Sequence, residues 1–256
     1  MKSKIFKPTF ILVALLTLLI TSCKKDETNE EGKNDIQLLK ISSWNPSTGA
    51  ENIGTEFTYE TNGRIKTVTS ARVNLTATYN SAGKVTSLNG LNSTGGAVSY
   101  TLEYNAGGQI SKVTYVYMNP SNYGNVKTYT YNTTGKLIQV STVSSESGAG
   151  STPSVMNYTW NGDNLATSSY PSGNGTNTTT YVSYDDKLNP YSLGDGIASI
   201  ISGSPASKNN VTEISSTLTG QTYTQKRSYE YNASGYATSM KLLDGSNEGS
   251  KFYYNK

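Results

Sequence analysis

Six carboxylates stand where they could take part in chemistry: Glu103, Asp163, Asp185, Asp186, Glu213 and Glu230. A glycoside hydrolase takes its acid and its base or nucleophile from such a set, held about 5 to 9.5 Å apart. Asp185 and Asp186 are adjacent, and adjacent strand residues point to opposite faces, so as a dyad they would need a turn to bring them together. Their simpler reading is the acidic turn of a degenerate repeat. No carboxylate lies in an apolar stretch that would raise its pKa for acid catalysis. Asp163-Asn164 and Asp185-Asp186 offer the oxygen ligands that calcium takes, but neither matches a twelve-residue calcium loop, and turn chemistry explains them better. Tyr115, Tyr117, Trp160 and Tyr170 are rigid rings of the kind that stack on sugars or peptides. The aromatics of the repeat described below read as core, while Tyr123 and Tyr170 fall outside it. Trp160, Tyr170, Tyr123, Asp185 and Asp186 are therefore the candidate ligand contacts, and no residue is assigned to catalysis, a cofactor or a metal.

The absences are more decisive. The chain has no His and one Cys among 256 residues. Ser-His-Asp triads, Cys-His pairs, HExxH zinc sites and Cys-rich metal knuckles are thereby excluded within it. The Lys residues are scattered and Arg occurs only at Arg64, Arg72 and Arg227, so there is no basic stripe for nucleic acid.

The lone Cys has a context of its own. Lys2, Lys4 and Lys7 precede an apolar run from Phe10 to Ile20, followed by Thr21, Ser22 and Cys23. That is the pattern of a secretory signal, and the run is about half the ~20 residues that a membrane-spanning helix needs. Leu19-Ile20-Thr21-Ser22-Cys23 resembles the lipobox of bacterial lipoproteins, which implies cleavage before Cys23 and acylation of its thiol. Residues 1–22 are then a signal peptide. Its removal takes away Lys2, Lys4 and Lys7 and brings the 21 basic residues level with the 18 acidic ones, so the mature protein is neutral. Residues 23–35 are polar and charged and read as a solvated tether. The Cys-Lys-Lys-Asp-Glu start is similar to the N-termini of Bacteroidota lipoproteins. That likeness implies an outer-membrane protein displayed on the cell surface, with the periplasmic leaflet as the alternative.

The elements that must position everything else are a repeated hairpin. Ala77-Thr78-Tyr79-Asn80-Ser81-Ala82-Gly83-Lys84-Val85 is one copy, and others centre on Tyr59, Tyr104, Tyr131 and Tyr231. Variants centre on Trp160 and Tyr184, and Phe252-Tyr253-Tyr254-Asn255 is a truncated last copy. Two aromatics two residues apart share one face of a strand. The Asn that follows bonds its own backbone, and Gly at the fourth turn position accepts positive φ, which predicts a type I turn with a G1-type bulge. Apolar residues then fall two and five places after the Gly, as in Val85 and Leu88. An offset of three requires either two covered faces or a bulge.

Key aromatics recur every 20 to about 29 residues, except for about 47 between Tyr184 and Tyr231. In that gap Leu193, Ile197, Ile200 and Ile201 have helical spacing after Asn189-Pro190, which predicts one short helix. Val211 to Thr217 and Gln221 to Tyr231 read as strands.

The Tyr-x-Tyr-Asn-x-x-Gly-x-Leu form resembles the YD repeat of Rhs and teneurin proteins, whose hairpins build a β-shell. The chain over about residues 36 to 256 is more similar to a group of Bacteroidota lipoproteins of unknown function. Tyr158 to Leu165 and Tyr184 to Tyr191 carry that resemblance together with the repeats. It implies a fold and is silent on activity.

The expectation is one all-β domain, 36–256: an antiparallel meander of roughly fourteen to sixteen strands, too many for an open flat sheet. A large curved sheet or partly open barrel follows, with a two-layer sandwich as the alternative. A lipid-spanning barrel is disfavoured, because its strands need about ten residues with an apolar outer face. The functional expectation is a lipid-anchored, surface-exposed binding or structural protein without catalysis, taking a glycan or protein ligand. Its alternative is a carboxylate glycosidase acting on surface polysaccharide.

Overall fold

The computed structural model describes residues 36–118, 123–144, 152–173, 175–193 and 204–255. The signal peptide, Cys23, the tether, and Ile197, Ile200 and Ile201 lie outside the described residues.

Sixteen strands form a meander: β1 (Leu38–Trp44), β2 (Glu51–Tyr59), β3 (Ile65–Ser70), β4 (Val73–Tyr79), β5 (Val85–Asn92), β6 (Ala97–Tyr104), β7 (Ile110–Met118) and β8 (Tyr123–Tyr131), then β9 (Leu137–Ser144), β10 (Ser154–Asn161), β11 (Asn164–Ser172), β12 (Gly175–Leu188), β13 (Asn209–Leu218), β14 (Gln221–Tyr231), β15 (Ala237–Leu242) and β16 (Gly249–Tyr254). Each strand pairs antiparallel with its sequence neighbours, and β16 pairs with β1, so the sheet closes as a barrel and leaves no edge. It does not split into the two layers of a sandwich. The assigned helical structure among the described residues is a 3₁₀ turn at Pro190–Ser192.

The turns form as their sequence dictates. In the hairpin of β4 and β5, Gly83 N–H donates to the Asn80 carbonyl at 2.9 Å, and Gly83 has φ of +75°. Asn80 Oδ1 accepts from the backbone N–H groups of Ala82 and Lys84, both at 3.0 Å. Asn132 and Asn232 hold their turns in the same way.

The offset of three resolves into a bulge. Tyr79 pairs with Val85 while Thr78 pairs with Ser87, so Thr86 is left over. The same slip occurs at Tyr59, Tyr104, Tyr131, Trp160 and Tyr231. One extra residue returns the alternation to phase. Ile65 and Val68, and Val85 and Leu88, therefore all face inward and are no more than 4% exposed.

The interior is packed by these aliphatics with Phe57, Leu75, Leu102, Val113 and Phe252, and a second cluster gathers Leu137, Val140, Tyr158 and Leu165. Gly90 lies where a Cβ would meet the Asn74 carbonyl oxygen at 1.8 Å, so β5 approaches β4 closely only because that side chain is missing. The outer face is polar. Thr58 and Thr67 bond hydroxyl to hydroxyl at 2.6 Å, Thr159 and Thr167 at 2.7 Å, and Lys112 pairs with Glu103 at 2.8 Å.

Where β16 meets β1, the outside carries a charge cluster. Glu51 accepts from Tyr253 at 2.6 and 2.8 Å and lies 3.4 Å from Lys40 and 3.5 Å from Lys251. Lys40 sits 3.9 Å over the Tyr253 ring. These bonds hold the Glu51 carboxyl down at about 2, the hydrogen bond from Tyr253 contributing most.

Candidate functional site

At each bulge the second aromatic of the following hairpin donates to the backbone carbonyl of the residue opposite the preceding aromatic. Tyr79 hydroxyl donates to Ile65 O, Tyr104 to Val85 O and Tyr131 to Ile110 O, at 2.7 to 2.8 Å. Trp160 makes the same bond through Nε1 to Leu137 O at 2.7 Å. Tyr184 reaches Leu165 O, Tyr254 reaches Ala237 O and Tyr59 reaches Leu38 O. A buried carbonyl without a partner is costly, so each pair locks two adjacent hairpins together. Cations cover the same rings: Arg64 lies 5.4 Å from Tyr79, and Lys84 and Lys136 lie 5.2 Å from Tyr104 and Trp160.

The series breaks between β12 and β14, where the long connection of residues 189–208 replaces a short turn. Tyr229 donates to Val211 O at 2.9 Å, and Tyr231 donates to the Asp185 carboxylate instead of to a backbone carbonyl. Asp185 also accepts from the backbone N–H groups of Lys187 and Asn210, at 3.0 and 3.1 Å, and from the Asn210 side chain at 3.1 Å. Asn210 is 2% exposed. The carboxylate thus stands in for the missing carbonyl.

The described ends of the connection, 189–193 and 204–208, contact the barrel interior. Asn189 caps the 3₁₀ turn by accepting from Tyr191 N–H at 3.0 Å, and Pro190 is buried. Tyr191 meets Phe252 edge-on at 5.9 Å. Farther along, the Ser207 hydroxyl accepts from Leu165 N–H at 3.0 Å and bonds the Tyr184 hydroxyl at 3.0 Å.

Beneath this connection lies a cavity of about 400 Å³, walled by Leu165, Tyr181, Val211, Tyr229, Met240 and Phe252, with Arg227 the charged residue in its lining. Arg227 gives its Nη2 and Nε to Gln225 Oε1 at 2.9 and 3.2 Å. Its positive charge holds down the rise that burial causes in the Tyr191 and Tyr229 hydroxyls. On β8 a second cation faces inward: Lys127 stands opposite buried Val113, and burial lowers its pKa.

The residues singled out from sequence fall in different places. Trp160 belongs to the interhairpin bonds. Tyr123 is half-buried and meets Tyr115 edge-on at 6.3 Å. Tyr170 stands opposite Asn177 on β11 and is 37% exposed. Asp185 and Asp186 lie inside β12 and not in a turn, because that strand runs unbroken through 14 residues. Asp186 points to solvent beside Lys187 at 3.4 Å. Asp163 pairs with Lys136 at 2.5 Å, and that bond holds its carboxyl low. Glu213 pairs with Lys226 at 3.7 Å, and Glu230 accepts from the Ser239 hydroxyl at 2.9 Å. Among the described residues, no three His, Cys, Asp or Glu side chains converge as a metal site.

Arg227 was not among the sequence candidates. Its signal is parity: it stands two residues before Tyr229, a place held by Leu75 before Ala77 and Tyr100 before Leu102.

The barrel fold is shared with a solved structure. A porin-like protein from Bacteroides uniformis superposes with a TM-score of 0.55 at 12% identity, over 86% of this chain and 96% of that one. A porin-like protein from Bacteroides vulgatus gives a TM-score of 0.43 at 12% identity, over 85% of this chain and 98% of that one. TcdB2-TccC3 gives 0.33 at 15% identity, over 86% of this chain and 12% of that one. No protein-family profile and no curated protein matches the sequence.

Proposed function

We propose that the chain is a lipid-anchored outer-membrane protein, displayed at the cell surface, that binds a ligand or serves as structure without catalysis. The observation that carries this reading is a closed barrel whose outer face is lined by paired Thr, Ser, Lys and Glu side chains. Charged side chains on a lipid-facing surface are costly, and nine of the sixteen strands have only six to eight residues, short of a membrane-crossing β-strand. Such a barrel needs a separate attachment to a membrane. The lipobox ending at Cys23 supplies one, since acyl chains contribute about 0.8 kcal/mol per buried methylene. In this reading residues 1–22 are the signal peptide, 23–35 the tether and 36–256 the working domain, whose hairpins are YD-like repeats. The fold shared with a porin-like Bacteroides protein supports a Bacteroidota source and an outer-membrane setting.

The test is metabolic labelling with a fatty-acid analogue, followed by fractionation and protease treatment of intact cells. Wild-type protein should take up label, sediment with outer membranes and be digested from outside. Cys23→Ala should lose both label and membrane association. A Cys23→Ala protein that stays membrane-bound would overturn the anchor, and resistance of the wild type to external protease would place it on the periplasmic leaflet.

A further inference from the structure

We propose that the cavity under the β12–β13 connection binds a small ligand consisting of an apolar body and one carboxylate, with Arg227 as the counterion. This rests on the reading of the chain as a binding protein and adds the class of ligand.

The cavity's size, about 400 Å³, falls in the range of small-molecule sites. One side of it is apolar and aromatic: Leu165, Val211 and Phe252 are each no more than 8% exposed and stand with Tyr181, Tyr229 and Met240, while neutral Asn and Ser side chains such as Asn209 and Ser207 line the rest. Against those walls, no carboxylate among the described residues lies within salt-bridge distance of Arg227. The ion pairs found there are all made by Lys. A guanidinium taken partly out of water without an anion is an uncompensated cost that a ligand carboxylate would relieve.

The orientation is also fixed in advance. Gln225 Oε1 takes the Nε and Nη2 side of the fork. The Tyr229 hydroxyl also accepts from Arg227, and a guanidinium has five donors, enough to serve both neighbours and still meet a carboxylate. Two carboxylates near this part of the sheet are engaged elsewhere: Asp185 accepts from Tyr231, Asn210 and the backbone of Lys187, and Asp244 bonds Ser246 and Gln225. An apolar body would lie against Tyr181, Met240 and Phe252.

The experiment uses the full chain in lipid nanodiscs, with 2-naphthoate as the carboxylate probe and 2-naphthalenemethanol as its neutral counterpart, titrated by calorimetry. Wild type should bind 2-naphthoate roughly tenfold or more tightly than the alcohol, as a desolvated charge pair would give. Arg227→Met should remove that preference while still binding the alcohol, which shows that the cavity is intact. If Arg227→Met fails to fold, Arg227→Lys decides: a retained preference for the anion supports the proposal, and a lost one in a folded protein overturns it. Equal binding of the two probes by wild type, a preference that survives Arg227→Met, or no binding of either probe would each overturn it. Incorporation into the discs reads the anchor separately. A chain that binds 2-naphthoate but stays out of the discs loses the anchor and keeps the cavity, and a chain in the discs that binds nothing does the reverse.

Discussion

The hydroxyl of Tyr104 donates to the carbonyl oxygen of Val85 at 2.7 Å, across from one hairpin to the one before it. Val85 lies at the bulge of β5, opposite Tyr79 and next to the left-over Thr86. Tyr104→Phe keeps the ring and removes only the donor. The expected cost is about 1 to 2 kcal/mol, which lowers the melting temperature by roughly 2 to 8 °C in a domain of this size. Differential scanning calorimetry checks it, and Trp160→Phe should behave alike because Trp160 makes the same bond.

Tyr129 gives the opposite expectation. It occupies the first aromatic position of its hairpin, and its hydroxyl is buried with no hydrogen-bond partner among the described residues. Burial pushes that hydroxyl up to about 12. Tyr129→Phe removes an unsatisfied polar atom and should leave stability unchanged or raise it by up to about 1 kcal/mol. Urea unfolding of the two Phe variants side by side separates a donor that is used from one that is not.

Lys127 is the charged counterpart of Tyr129. Its amine is lowered by burial, so folding disfavours its charge at neutral pH. Lys127→Met should stabilise the fold by about 1 kcal/mol near pH 7. A drop in the urea midpoint would show that the amine has a partner worth more than its desolvation.

Asp185→Ala removes the acceptor of Tyr231 and of Asn210, the latter buried. Several donors are stranded together, and the cost should reach about 2 to 3 kcal/mol. Asp186→Ala, one residue along and 84% exposed in its side chain, should change stability by less than about 0.5 kcal/mol. Thermal melts of the pair test whether the carboxylate at 185 holds the fold.

Stability should fall at both ends of the pH scale. Glu51 is held at about 2 against an ordinary 4.5, so its contribution is complete above pH 4.5 and is lost as pH falls towards 2. That contribution is about 1 kcal/mol, because the cluster remains partly in water. Tyr129 and Tyr229 are pushed up to about 12 by burial, and Tyr253 to about 12 chiefly by its bond to Glu51. The unfolded chain releases those protons near pH 10, so stability declines from pH 10 to 12. Tyrosinate absorbance and circular dichroism followed together through that range should change in one cooperative step.

Much of this was written in the residues themselves. The Asn-x-x-Gly turns, the paired aromatics and the strands from Val211 to Thr217 and Gln221 to Tyr231 follow from local rules, because each depends on neighbours a few places away. The second aromatic is Tyr59, Tyr79, Tyr104, Tyr131, Trp160, Tyr184, Tyr231 or Tyr254, and never Phe. That preference for a donor is the sequence trace of the bulge carbonyls, and it accounts for much of the excess of 20 Tyr over 4 Phe. Closure was not legible, since the pairing of Leu38 with Tyr254 depends on curvature summed over the whole sheet. The turn expected at Asp185-Asp186 is a strand because Asn210 and Tyr231, distant in sequence, fix the carboxylate there. Arg227 gains meaning only when its face is known: the same alternation that buries Leu75 turns a guanidinium inward.

The seam between the first strand and the last has a consequence for how the chain reaches its final state. Gln37 N–H donates to Asn255 Oδ1 across a separation of 218 residues, so the closing ladder joins the strands farthest apart in the sequence. Contacts of such high sequence separation slow folding, because loop-closure entropy is lost before they form. Until β16 arrives, β1 and β15 each present an open edge. The barrel therefore stays unclosed until β16 has paired with β1, and its last ladder joins two strands at opposite ends of the meander.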